Sequence, residues 1–211
     1  MDKAFNVTWI AAIIIFSSVF GGMVLFTDVY EEVLDDIVSV TCLSCIKLQP
    51  VTKLEFLFKT ANDKPHPDFV LDNLSKGPVF IAYRTKDCTY CDEMDPVLEE
   101  VFKIQDVNKQ GFVYEEVGFN GTSVFFMHIN KSLTPDYIDE TQDVYDKDYI
   151  YGVPMFTLVT LRYHRGIVEP YYATLYGKID LSMTDEERVE YLYDLIDNGI
   201  ELYNENKAGY E

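Results

Sequence analysis

The pattern of apolar and polar positions changes from strand type to helix type between residues 77 and 103. Residues 78–83 form a short apolar run opened by a Gly-Pro pair, which is typical of a buried strand. After a polar turn at residues 84–87, apolar side chains recur at the spacing of a helix that lies on a core: Met94, Val97, Leu98, Val101 and Phe102. The stretch therefore predicts a strand followed directly by a helix.

Similar patterns along the rest of the chain predict an α/β domain. Apolar or alternating runs indicate strands at residues 54–58, 124–130, 155–163 and 171–176, and a strand or loop at 112–117. Helical spacing indicates helices at residues 69–74, 134–149 and, after a capping box from Thr184 to Glu187, 189–203. We expect the helix of residues 94–102 to continue to the break at Gln110-Gly111. The order βαβαββα, preceded by one strand, predicts a mixed central sheet in which run 124–130 lies parallel to run 78–83.

A long apolar segment precedes this domain. Residues 4–27 carry no charged side chain, and a helix that spans a bilayer needs about 20 apolar residues. A cleavable signal peptide is the alternative, but its apolar region is shorter, about 7–15 residues, and an Ala-x-Ala site is missing here. We therefore expect the segment from Ala4 to Thr27 to be an uncleaved, single-pass anchor in the lipid bilayer of the cell membrane.

The charges that flank this segment predict its orientation. Lys3 precedes it, whereas five acidic residues and no basic residue follow it before Lys47. Positive flanks tend to stay in the cytoplasm, so we expect the soluble domain to be extracytoplasmic. The expected organisation is an anchor at residues 1–28, a stalk at 29–49, a folded domain at 50–206 and a tail at 207–211.

Composition and charge narrow the classes of partner. The 211 residues include 17 basic and 36 acidic side chains, for a formal net charge of −19. Such a surplus disfavours nucleic acid and anionic membrane surfaces as partners. The length and the 48% hydrophobic content suit one domain with a true core plus an appendage. The three histidines are scattered singly along the chain, so we expect no metal site and no cofactor.

The four cysteines form two Cys-x-x-Cys pairs in different surroundings. Cys88 and Cys91 lie where the predicted strand gives way to the predicted helix, and a helix N-terminus stabilises a thiolate. A thiolate is the nucleophile of thiol–disulfide exchange, and a second cysteine one turn on can resolve the mixed disulfide. No long amphipathic helix follows Cys42 and Cys45. A structural disulfide or two buried thiols, a redox partner for the first pair, and a metal site are the alternatives there, although zinc wants four ligands.

The residues around the first pair resemble the thioredoxin superfamily. A strand leads into the motif, the motif opens a helix, Pro96 follows five residues after the second cysteine, and Val153-Pro154 precedes a strand as the family's cis-proline does. The resemblance covers about residues 50–206 and implies a thioredoxin fold with the cis-proline against the dithiol. The chain departs from the pattern at Ala82, where thioredoxins proper keep a buried Asp that helps to move protons to the second cysteine.

The resemblance implies a thiol–disulfide oxidoreductase that exchanges disulfides with protein thiols and disulfides. Together with the predicted anchor and its flanking charges, it indicates a membrane-anchored enzyme that acts outside the cytoplasm. Cys88 would attack and Cys91 would resolve, while a membrane-bound or soluble redox partner would exchange electrons with the pair. Local spacing and the resemblance together favour the pairing of Cys42 with Cys45 and of Cys88 with Cys91 among three possible connectivities. Two pairs suit an oxidising compartment.

The resemblance also assigns residues to partner binding. Pro154 would shape the edge that binds an extended peptide, and Val153 would offer backbone hydrogen bonds to it. Thr89 and Tyr90, between the cysteines, would tune access.

The direction of electron flow stays open. Asp87 and Asp92 disfavour the thiolate and Lys86 partly compensates, so we expect a pair less oxidising than one flanked by bases. Two alternatives remain: a non-enzymatic adaptor in which the first pair is only a staple, and a metal carrier that uses a Cys-x-x-Cys.

Overall fold

The structure, a computed structural model, describes residues 56–107, 111–133 and 141–210. In chain order its helices and strands are α1 (Asp68–Leu74), β1 (Val79–Arg84), α2 (Thr89–Phe102), β2 (Phe112–Phe119), β3 (Thr122–Asn130), α3 (Gln142–Tyr145), β4 (Met155–His164), β5 (Ile167–Tyr176) and α4 (Asp185–Asn206). Short 3-10 turns at Ala61–Asp63 and Lys207–Gly209 flank them.

The five strands form one mixed sheet in the order β2-β3-β1-β4-β5. The central strand β1 runs parallel to β3, with Arg84 opposite Asn130, and antiparallel to β4, with Tyr83 opposite Met155. The carboxyl ends of β1 and β3 therefore meet the amino end of β4 at one edge, called here the upper end of the sheet.

Helices cover both faces of this sheet. One face packs Phe80, Ala82 and Phe126 against the apolar sides of α2 and α4. The other packs Val79, Ile81 and Tyr83 against α1 and α3. Because both faces are covered, β1 reads as a continuous apolar run without alternation. The chain is thus an α/β protein with a mixed sheet flanked by helices, an architecture compatible with a thioredoxin-like fold.

Several predicted elements form where the apolar pattern places them. All six residues of β1 are buried, as are the five stripe residues of α2. Residues 112–119 form a strand rather than a loop, and β3 lies parallel to β1 as expected. The predicted capping box opens α4: Thr184 Oγ1 accepts from the Glu187 N–H at 3.2 Å, and Glu187 Oε2 accepts from the Thr184 N–H at 2.7 Å.

Two predicted helices end earlier than the sequence pattern indicates. Of the expected helix at residues 134–149, the described part is helical only from Gln142 to Tyr145. The Asp146 side chain then takes the N–H groups of the next turn, which ends the helix. Helix α2 ends at Phe102, before Gln110-Gly111, because Lys103 adopts a left-handed conformation with φ 55°.

Other predictions concern N-terminal residues that lie partly or wholly outside the part of the chain that the structure describes. Of the strand predicted at residues 54–58, the described part makes a single bridge, between Phe58 and Tyr172. The predicted anchor at residues 4–27 and the pair Cys42 and Cys45 lie outside the described residues. Within 56–107, 111–133 and 141–210, no helix has the length and apolarity that crossing a membrane requires.

Candidate functional site

A disulfide between Cys88 and Cys91 lies at the upper end of the sheet, where β1 gives way to α2. The two sulfurs are 2.06 Å apart. The chain leaves β1 at Arg84, turns through Asp87 in a left-handed conformation with φ 61°, and enters the helix at Cys88. Cys88 is thus the N-cap residue of α2, a position with unpaired backbone donors nearby.

The two sulfurs differ in exposure and in hydrogen bonding. Cys88 is half-buried, whereas Cys91 is 1% exposed. The Cys91 N–H donates to Cys88 Sγ at 3.2 Å, so the helix N-terminus points one of its donors at the outer sulfur. A thiolate at this position would accept the same bond more strongly, because a charged acceptor forms shorter and stronger hydrogen bonds.

The residues that the resemblance assigned to partner binding lie on both sides of this disulfide. Cys88, Thr89, Tyr90 and Val153, together with Thr85, line an open groove of about 580 Å³. Behind the groove, Cys91 and Pro154 line a narrow gap that is too small to hold a water molecule. The Val153-Pro154 peptide bond is cis, as the resemblance implies. The structure therefore brings the disulfide and the proline loop together.

A buried polar cluster lies directly behind Cys91, and the sequence did not lead us to it. Arg84, Asp95 and His128 line the same narrow gap as Cys91, and each is less than 7% exposed. Arg84 Nη1 donates to Asp95 Oδ2, and Arg84 Nη2 donates to Asp92 Oδ1 at 2.7 Å.

His128 completes this cluster from the neighbouring strand. Its Nε2 lies 3.7 Å from Asp95 Oδ1. Its Nδ1 is buried, and none of the described residues hydrogen-bonds to it. Buried polar nitrogens are normally hydrogen-bonded, which makes this ring nitrogen unusual among the described core residues.

The sequence pattern could have indicated each of the three residues of this polar cluster. Asp95 falls four residues after Cys91, hence on the same helical face, and lies beside Met94 in the apolar stripe. His128 interrupts an otherwise apolar buried strand, and Arg84 ends one. A polar residue at a core position is the informative exception. Because of Arg84, the acidic surroundings expected from Asp92 are partly neutralised.

A second feature missed by the sequence reading is the support of the loop before the proline. The buried Asp146 carboxylate accepts the Ile150 N–H at 3.0 Å and the Tyr151 N–H at 2.6 Å. The buried Gln142 side chain donates to the Gly152 carbonyl at 2.8 Å. Two buried polar side chains thus fix the backbone that leads into Val153.

Comparison with known proteins adds no relative to this picture. No protein-family model matches the sequence, and a search of curated proteins found no similar one. Among the described residues, no group of three His, Cys, Asp or Glu side chains is arranged to hold a metal ion. The functional argument therefore rests on the geometry of the disulfide and its neighbours.

Proposed function

We propose that this protein is a thioredoxin-like thiol–disulfide oxidoreductase that exchanges disulfides with protein partners through Cys88 and Cys91. The observation that carries the proposal is the unequal placement of the two sulfurs at one helix N-terminus. Cys88 borders an open groove and receives a helix N–H, while Cys91 is closed off behind it. An exchange cycle needs one sulfur that a partner can reach and one that only the first sulfur can reach.

The first step of the cycle forms a mixed disulfide. In the reduced protein, the Cys88 thiolate attacks one sulfur of a partner disulfide; a bond forms between them, and the other partner sulfur leaves as a thiolate. The α2 N-terminus stabilises the Cys88 thiolate through its dipole and the Cys91 N–H.

The second step releases the partner. The Cys91 thiol loses its proton, and its thiolate attacks Cys88 Sγ. The Cys88–Cys91 disulfide forms, and the second partner sulfur leaves as a thiolate that takes up a proton. The partner gains two electrons, and the dithiol becomes the disulfide; the reverse sequence oxidises a partner dithiol.

The proton of Cys91 needs an acceptor inside the protein. The gap beside Cys91 holds no space for water, and the acidic and basic side chains that line it are Arg84, Asp95 and His128. Arg84 is a permanent donor, so the acceptor is the Asp95–His128 pair, with the Asp95 carboxylate facing the His128 ring. Thioredoxins proper have a buried Asp at the position of Ala82. In this protein, Asp95 on α2 and His128 on β3 would take its place.

Membrane attachment is part of the proposal. Residues 4–27 would anchor the chain, with the soluble domain on the oxidising, extracytoplasmic side, where a disulfide persists. Protease added to intact cells should then remove the domain. A domain that is digested only after lysis would place it in the cytoplasm instead.

Trapping of partners tests the exchange chemistry. A Cys91→Ala variant cannot resolve the mixed disulfide, so protein partners should accumulate in covalent, reductant-sensitive complexes with it. Cys88→Ala is the matched control and should trap none. If Cys91→Ala traps no partner and the wild-type protein reduces no disulfide, the domain is a binding adaptor rather than an oxidoreductase.

A further inference from the structure

Three large apolar side chains stand exposed on the loop that leads into Val153. Tyr149, Ile150 and Tyr151 are 50%, 50% and 66% exposed; together they are called here the apolar shelf. Tyr90 is 48% exposed and lines the groove opposite Val153. Exposed aromatic and aliphatic groups in one place next to a groove are the usual mark of a binding surface.

The backbone of the shelf is held rather than loose. Asp146, 2% exposed, binds the N–H groups of Ile150 and Tyr151, and Gln142 binds the carbonyl that follows the shelf. Buried polar side chains thus support a loop whose own large side chains are at least half exposed. Such fixed aromatic groups bind partners at a low entropic cost, because little freedom is lost on contact.

The shelf also adopts an unfavourable backbone conformation. Tyr149 and Tyr151 have φ values of 52° and 53°, in the left-handed region that large side chains rarely occupy. Strain of this kind persists where the surroundings enforce it and is concentrated at binding sites. Tyr151, the more exposed of the two, is therefore an unexpected residue at its position unless its ring has a use.

Several charges near the groove are matched within the chain. Acidic side chains at the rim have basic partners: Asp92 with Arg84 at 2.7 Å, Glu93 with Lys178 at 2.6 Å, and Asp148 with Lys147 at 2.6 Å. Directly before Cys88, the exposed Lys86 and Asp87 carry opposite charges, while the whole chain carries −19. An acidic partner segment would find one exposed cation, Lys86, next to the acidic Asp87, and would be repelled at long range by the net charge.

From these observations we propose that the apolar shelf and Tyr90 select the substrate. The occupant of the groove is an extended polypeptide segment in which large apolar side chains flank the reacting cysteine and acidic ones are absent. The reacting Cys88 fixes the occupant as a sulfur-bearing chain, and this inference rests on the proposed exchange function.

Cysteine peptides of defined sequence test the selection. Each peptide carries one cysteine as a mixed disulfide with glutathione, flanked by Tyr and Ile, by Ala, or by Glu. Reduced full-length wild-type protein should exchange with the Tyr/Ile peptide about tenfold faster than with the Ala peptide, because one buried aromatic anchor gives a preference of this size. The Glu peptide should be the slowest.

Two matched variants locate the preference. A shelf variant with Tyr149→Asn, Ile150→Ser and Tyr151→Asn keeps side chains that tolerate the left-handed backbone, and its preference for the Tyr/Ile peptide should fall to within about twofold. A control variant with Tyr163→Ser and Ile167→Ser removes side chains of similar exposure from the β4–β5 turn, at the opposite end of the sheet. It should keep the full preference.

Other outcomes separate this inference from the proposed function. If wild-type protein does not react with oxidised glutathione, the exchange chemistry itself is wrong. If it reacts but treats all three peptides alike, the selection is wrong and the chemistry stands. Two results, each without a peptide preference, would show another occupant of the apolar shelf. Binding to neutral phosphatidylcholine vesicles that the shelf variant abolishes would show that a bilayer occupies it. Self-association that the shelf variant abolishes would show that a second copy of the chain occupies it.

Discussion

Asp95 occupies a position that a helix lying on a sheet normally gives to an apolar side chain. An unpaired buried carboxylate would strongly destabilise the fold. Arg84 from β1 and His128 from β3 contact it instead, so three elements each contribute one polar side chain to a single buried cluster. A cluster of this kind, placed against a buried cysteine, suggests a use in moving a proton.

The cluster predicts slow resolution in two variants. Asp95→Asn and His128→Asn should each lengthen the lifetime of the mixed disulfide by about tenfold to a hundredfold, because a positioned general base contributes at least that much. Acid-quenched time courses with a disulfide peptide measure the lifetime. Asp92→Asn is the matched control: its carboxylate also binds Arg84 but is 61% exposed and does not line the gap. An equal effect of all three would point to a general disturbance of the polar cluster around Arg84 rather than to proton transfer.

His66 gives the fold a dependence on pH. Burial lowers the pKa of His66 from 6.5 to about 4, although hydrogen bonds with backbone groups at Pro170 and Lys59 partly oppose the shift. Its Nδ1 lies 3.1 Å from the Tyr145 hydroxyl. The unfolded chain therefore takes up the proton first, and the stabilisation that is present above pH 6.5 is lost as pH falls towards 4.

Urea unfolding at pH 7 and pH 4.5 tests this dependence. Over that interval the wild-type protein should lose up to about 3 kcal/mol more unfolding free energy than a His66→Gln variant, since one pKa unit corresponds to about 1.4 kcal/mol. A variant that loses as much stability as wild type would assign the acid sensitivity to other groups.

At the scale of elements, β1 begins where the chain passes very close to β3. A Cβ added at Gly77 would lie 2.0 Å from the Ser123 carbonyl oxygen and 3.4 Å from the Phe125 ring. Backbone atoms cannot yield as a flexible side chain can. The close approach therefore requires glycine at this position.

Gly77→Ala should destabilise the protein by about 1–3 kcal/mol through this clash. Gly118→Ala, in β2, is the control, because nothing lies within 4 Å of the added methyl group; it should change stability by less than about 0.5 kcal/mol. Chemical denaturation of both variants provides the comparison. Equal stabilities would mean that β1 and β3 can separate at this point without loss.

Elements with a long, regular apolar period could be predicted from the sequence, and irregular ones could not. The strand–helix pair β1–α2 and the capped helix α4 follow their patterns because burial on one face dictates the spacing. The end of α3 depends instead on Asp146, whose side chain competes with the helix for backbone donors. The spacing of apolar residues in the sequence does not indicate this competition.

The candidate site likewise combines residues that could be predicted from the sequence with residues that could not. The two cysteines and the proline loop carry motifs and were found from them. Arg84, Asp95, His128 and the supports of the apolar shelf come from separate elements, and only the folded arrangement shows that they meet. Each of these polar residues can be recognised in the sequence because it lies among apolar ones, but the residue that it contacts cannot.

At the scale of the whole molecule, the net charge of −19 acts on every encounter. Association with a basic peptide should be accelerated by the field of the protein and should slow as salt screens it, since the screening length falls from about 30 Å at 0.01 M to 8 Å at 0.15 M. We expect the exchange rate constant with a lysine-flanked peptide to fall at least threefold over this range. A neutral peptide of the same length should show little change, and a fall of the same size there would exclude steering by charge.

The pairing of Tyr83 with Met155 determines how the chain can vary in length. This pairing brings together the two chain segments that line the groove, here called its two walls. One wall contains Cys88 and the other contains Val153, although these residues are 65 residues apart in the sequence. Insertions at Asn120-Gly121, in the turn between β2 and β3, would leave both walls in place. A shift of β4 along β1 by a single residue would instead displace one wall by about 3.3 Å and turn its side chains to the opposite face. Natural variants of this protein should therefore differ in loop length far more readily than in the alignment of these two strands.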